Sequence, residues 1–105
     1  MNTKKKSNAL KYLESLRGRP LTFGQMIHSV RMCDEISQSK LAEMMNMSRS
    51  HLCDIENGRR FVGVEKAAQF AEILGYSKTQ FVAMVLEDQL RTAGMPFVVE
   101  LKKAA

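Results

Sequence analysis

A chain of 105 residues, 45% hydrophobic and 26% charged, has the composition of a single packed domain and excludes wholesale disorder. Its apolar runs fall far short of the ~20 residues a membrane helix needs, and no apolar stretch follows the basic start Met1-Asn2-Thr3-Lys4-Lys5-Lys6. A protein without membrane span or secretory signal is therefore expected, placed in the cytoplasm, with Cys33 and Cys53 as reduced thiols.

The net charge of +5 is unevenly spread. Residues 1–20 carry Lys4, Lys5, Lys6, Lys11, Arg17 and Arg19 against Glu14. Residues 21–76 carry six basic and seven acidic side chains, and residues 77–105 carry four and three. The excess lies in an N-terminal arm, so charge alone does not identify a partner, and pattern in the middle segment has to.

In chain order, Leu10, Tyr12, Leu13 and Leu16 predict a helix from Asn8 to Arg17, stopped by Gly18-Arg19-Pro20. Thr22 with Gln25 is a capping-box pattern, and Phe23, Ile27 and Val30 make the apolar stripe of a helix running to about Glu35. Ser37 caps a short helix, Gln38 to Met45, with Leu41, Ala42 and Met45 facing inward. Asn46 stands where a tight turn calls for a left-handed residue. Ser48 caps the next helix, which runs through Glu56 with Leu52 and Ile55 on its buried side and ends at Asn57-Gly58. After the basic loop Arg59-Arg60-Phe61, a helix over Val64–Leu74 places Val64, Ala67, Phe70, Ala71 and Leu74 at core spacing. Ser77 and Gln80 then open a helix over Lys78–Thr92, which Gly94 ends. From Pro96 to Lys102 the period changes to two, predicting one short strand with Phe97, Val99 and Leu101 on one face. A lone strand needs a partner for its backbone groups, and a second copy of the chain is the simplest supplier.

Two short helices joined by a tight turn, the second serine-capped and polar on its outer face, form a helix-turn-helix pattern. The run from Ile36 to Arg60, with Ser37-Gln38, Leu41-Ala42, the central Ser48 and Glu56-Asn57-Gly58 at matching spacings, resembles the lambda-repressor/Cro (XRE-type) family. The resemblance extends over roughly residues 23–76. It implies an all-α, lambda-repressor-like helix-turn-helix bundle, here with an added N-terminal helix and a short C-terminal dimerisation strand. Residues 1–20 become a basic arm and helix, 21–76 the DNA-binding domain, and 77–105 a dimerisation segment.

It also implies site roles. Ala42 is small where two helices of the unit approach. Ser48, Arg49, Ser50 and Asp54 lie on the face that enters the major groove, Arg49 being the best placed for a bidentate contact to guanine. Asp54 either accepts from a cytosine amine or orients Arg49 or a neighbouring serine. Gln38, Lys40, His51, Asn57, Arg59 and Arg60 meet the DNA backbone, the first at a helix N-terminus. Lys4, Lys5 and Lys6 either reach DNA as a flexible arm or form a solvated tail. Arg31 pairs with Glu56, either to orient the reading helix or simply to stabilise the core. The sequence departs from the family at Asn46, usually glycine, at Lys40, usually acidic, and at Val62-Gly63, usually proline and serine.

No catalytic constellation, cofactor motif or metal-ligand set is present; His28 and His51 have no third ligand beside them. Double-stranded DNA is the expected partner, bound by a homodimer acting as a transcriptional repressor on a near-palindromic operator. The alternative is an antitoxin that binds a protein toxin and represses its own operon through the same domain.

Overall fold

The computed structural model describes residues 21–104, and all regular structure among them is α-helical. The helix expected over Asn8–Arg17 and the lysines of the arm lie outside the described residues. Five helices follow in order: α1 (Phe23–Cys33), α2 (Gln38–Met44), α3 (Arg49–Glu56), α4 (Val64–Leu74) and α5 (Lys78–Thr92). They fall into two compact units, one ending at Phe61 and one beginning at Val62.

In the first unit each helix starts where its cap dictates. The Thr22 hydroxyl accepts from the Gln25 N–H at 3.1 Å, and the Thr22 N–H donates to Gln25 Oε1 at 3.0 Å, so α1 opens with a complete capping box. Ser37 and Ser48 accept from the N–H groups of Lys40 and His51, each at 3.0 Å; a cap of this kind contributes about 1 kcal/mol. Met26, Ile27, Leu41, Met45 and Leu52 are fully buried between the three helices. Burying side chains of this type stabilises by about 1.5–3 kcal/mol each, so the short α2 and α3 persist through packing rather than through their own propensity.

The turn between α2 and α3 is closed by the Met47 N–H donating to the Ala42 carbonyl at 2.9 Å, with Asn46 at φ 56°. That is the left-handed conformation expected there. Another left-handed residue was not foreseen: Glu35 sits at φ 55°, and the Ile36 N–H turns back to the Arg31 carbonyl at 2.9 Å. α1 therefore ends at Cys33, two residues before the expected boundary. Met45 is buried as expected but stands just past α2, as its C-cap.

In the second unit, α4 packs Ala67, Phe70, Ala71 and Leu74 toward Phe81 and Val85 of α5, and the Tyr76 and Phe81 rings lie 5.1 Å apart. Gly75, at φ 81°, turns the chain between the two helices. Val64, expected in the core, is 46% exposed, because it occupies the first position of α4 behind an N-cap that offers no side chain.

The strand expected over Pro96–Lys102 is absent. The Met95 N–H donates to the Leu90 carbonyl, the Phe97 N–H to the Met95 carbonyl, both at 2.8 Å, and the Val99 N–H to Glu87 Oε2 at 2.9 Å. A single chain offers no second strand, so the tail takes acceptors from its own helix and its own turn. Phe97, Val98 and Leu101 stay exposed and Val99 is half-buried.

Candidate nucleic-acid interface

The first unit brings most of the sequence-derived site residues onto α2, α3 and the loop that follows. Ser48, Arg49 and Ser50 open α3 and are exposed, with the Ser48 oxygen occupied as the cap and its proton free to donate. His51 and Asp54 are partly exposed; Lys40, Asn57, Arg59 and Arg60 are exposed. The side chain of Asn57 folds back, its Nδ2 donating to the Cys53 carbonyl at 2.8 Å and so closing the C-terminus of α3.

Asp54 pairs with neither Arg49 nor a serine. Arg59 Nε donates to its Oδ1 at 3.0 Å, and the Arg59 N–H donates to the Asp54 carbonyl at 2.8 Å. The loop's first arginine is thereby held against the outer face of α3. The Asp54 carboxylate raises the Arg59 pKa through that hydrogen bond, then through its charge. The pair is solvent-facing, and exposed pairs contribute little to folding.

Behind this face lies a buried ion pair. Arg31 Nε donates to Glu56 Oε2 at 2.9 Å and Arg31 Nη2 to Oε1 at 3.1 Å, a two-bond contact between α1 and the last turn of α3. Arg31 Nη1 donates to the Ile36 carbonyl at 3.0 Å. Burial works to raise the Glu56 pKa, but the hydrogen bonds from Arg31 and then His28, with their charges, overrule it and hold the carboxyl below its ordinary range. The Arg31 pKa is raised by the hydrogen bond to Glu56, against desolvation. Both remain charged at neutral pH.

Gln38 connects this pair to the surface: its Nε2 donates to Glu56 Oε1 at 3.3 Å, from the first residue of α2. His28 Nδ1 lies 3.0 Å from the same oxygen. The three helices line an open cleft of about 910 Å³ whose walls include His28, Arg31, Gln38, Arg49 and Glu56.

Two residues that shape this site escaped the sequence reading. His28 was weighed only as a metal ligand, though it precedes Arg31 by one helical turn and so shares its face. Gly24 is the other. A Cβ there would come within 2.9 Å of the Glu56 carbonyl oxygen and closer still to that of Ile55, so α1 meets the backbone of α3 at this point. A glycine inside a helix costs about 1 kcal/mol relative to alanine, and that cost is the signal that marks it.

Phe97, Val99 and Leu101, expected to form a dimer contact, belong to the second unit. Among the described residues no group of His, Cys, Asp or Glu is arranged to hold a metal ion, and no helix is long and apolar enough to cross a membrane.

In comparison with known families, residues 35–81, from just past the end of α1 into the first turn of α5, match the helix-turn-helix family. No curated protein and no solved structure matches the chain. The caps at Ser37 and Ser48, the left-handed Asn46 between them and the ion pair behind α3 lie in or against that matched stretch. Residues 35–81 thus form a helix-turn-helix domain similar to those of the lambda-repressor-like (XRE-type) DNA-binding transcription regulators.

Proposed function

We propose that the protein is a sequence-specific transcriptional repressor that binds a near-palindromic operator as a homodimer. The observation that carries this reading is the exposed start of α3, where Ser48, Arg49 and Ser50 project from a helix fixed at both ends by its cap and by the Arg31–Glu56 pair. A rigid helix with short polar side chains and one arginine suits the major groove, and Arg49 reads a guanine by two hydrogen bonds. Asp54 completes the base-facing set. Gln38, Lys40, His51, Asn57, Arg59 and Arg60 bind the sugar-phosphate backbone and set the register. The lysines of the arm, Lys4, Lys5 and Lys6, add sequence-independent attraction.

A single helix-turn-helix covers too few base pairs for high specificity, so a two-fold dimer is the economical assembly. Its contact is the C-terminal segment, residues 77–105, where Phe97 is 63% and Leu101 39% exposed in the single chain. These exposed side chains, with the half-buried Val99 between them, are the apolar surface that a second copy covers. An antitoxin would use the same domain and turn that tail toward a protein toxin instead.

The test compares variants on a selected operator and on unrelated DNA. Arg49→Ala should lower operator affinity by roughly tenfold or more, the ~1–3 kcal/mol of a bidentate base contact, and leave unrelated DNA nearly unaffected. Arg60→Ala should weaken both about equally and reduce the salt slope by about one. Equal losses for Arg49→Ala on both DNAs would remove its base-reading role.

A further inference from the structure

The outer face of α3 carries an acid, Asp54, and an acid is an awkward neighbour for a phosphate backbone. It lies one helical turn beyond Ser50 and so shares that residue's face of the helix. Arg59 closes on it twice. Its Nε donates to Asp54 Oδ1 at 3.0 Å, and its backbone N–H donates to the Asp54 carbonyl at 2.8 Å. Its Nη2 lies 3.8 Å from the Sγ of Cys53, the residue before Asp54 on the same helix. An arginine anchored both at its backbone and at its guanidinium stays beside the carboxylate instead of sweeping through solvent.

The pairing uses one oxygen of the carboxylate. Among the described residues Oδ2 accepts no hydrogen bond, and the Asp54 side chain is 37% exposed, so an outside donor can reach it. The Arg59 charge offsets that of Asp54, and its Nη1 stays open to a phosphate. The four bases separate under such an acceptor. In the major groove thymine shows O4, and guanine O6 and N7, all acceptors that repel a carboxylate oxygen. Adenine offers its N6 amine but sets the N7 acceptor beside it. Cytosine alone offers an amine, N4, with no acceptor on the same base in that groove.

We infer that Asp54 selects cytosine at one position of the DNA site, and that Arg59 is its positioning residue, holding Oδ1 so that Oδ2 accepts from the N4 amine. The inference rests on the reading of α3 as the helix that enters the major groove. It separates the two arginines of the loop. Arg60 binds the backbone alone, whereas Arg59 also keeps an acid in place among phosphates. Without that counter-charge the flanking phosphates drive Asp54 away from the base, and the choice of cytosine is lost.

The experiment selects bound sequences from a random duplex library with the full chain, then measures affinity for single-base variants of the site at fixed salt. Asp54→Ala should erase the base preference at one position and leave the others, which identifies the base that Asp54 faces. There the wild type should prefer cytosine to thymine by roughly tenfold or more, the effect of one charge-assisted hydrogen bond. Asp54→Asn should exchange cytosine for adenine, because an amide donates to N7 while it accepts from N6. Arg59→Ala should cut the cytosine preference to below about threefold and keep the guanine preference of Arg49. Arg60→Ala should weaken binding and retain both preferences. Arg59→Met, which keeps the apolar stem, is the second replacement should alanine disturb the loop. Full cytosine preference in both Arg59 variants overturns the coupling. A guanine preference at that position, lost with Arg59, means that the arginine reads the base itself, and it overturns the role of Asp54. Preferences elsewhere in the site with none at the Asp54 position overturn this inference alone. A wild type that enriches no sequence overturns the reading of α3, and the inference with it.

Discussion

Glu56 takes hydrogen bonds from Arg31 on α1 and from Gln38 on α2 while closing α3, so one carboxylate ties the three helices of the unit together. Removing one partner of such a buried pair costs about 3–5 kcal/mol, because the other charge is stranded, whereas exchanging both for apolar residues of similar volume costs far less. The Glu56 pKa in the folded chain is below its ordinary value of 4.5, so its contribution to stability is present above about pH 4.5 and is lost as pH falls through the depressed value. The urea midpoint of the wild type should therefore drop as the pH is lowered below about 4.5, and Glu56→Gln should show a shallower drop from a lower starting midpoint. Parallel pH curves for the two proteins would show that another carboxyl dominates.

The pairing of Arg31 with Glu56 was legible in the sequence only through the family resemblance, since nothing in the spacing of the two residues dictates it. The convergence of His28, Arg31 and Gln38 on one oxygen of Glu56 was not legible at all, because it depends on how three helices pack rather than on pattern. Asp54 shows the same limit from the other side. The sequence placed it on the outer face of α3, but only the fold reveals that Arg59 turns back to pair with it.

At the scale of elements, helix starts were read well because Thr22, Ser37, Ser48 and Ser77 each cap in the way their side chains allow. The end of α1 was misplaced because a glutamate adopts the left-handed conformation at Glu35, and no sequence rule assigns it there. That strain is removable. Glu35→Gly should raise stability by about 1 kcal/mol, since glycine pays no Cβ penalty at φ 55°. Gly24→Ala should do the opposite, although alanine is the better helix former. Its methyl would press on the carbonyls of Ile55 and Glu56, force α1 away from α3 and loosen the ion pair. Thermal melts of the two variants test both signs together, and a Gly24→Ala protein as stable as wild type would contradict the close approach.

For the molecule as a whole, the strand signal in the tail was a true alternation with a different outcome. Phe97, Val99 and Leu101 do alternate, but a strand needs a second strand beside it, and the Val99 N–H is satisfied at Glu87 instead. The exposed tail and the reading helix then make complementary demands. One leaves an apolar surface open to water, and the other covers too short a DNA site alone. The homodimer proposed through the tail would answer both. The most direct measurement is selection of bound sequences from a random duplex library with the full chain. The account predicts an inverted repeat whose half-sites lie about 34–36 Å apart, one turn of DNA, with guanine at the position Arg49 reads. A chain that enriches a solitary half-site would contradict the dimer, and one that enriches no sequence would contradict base reading by α3.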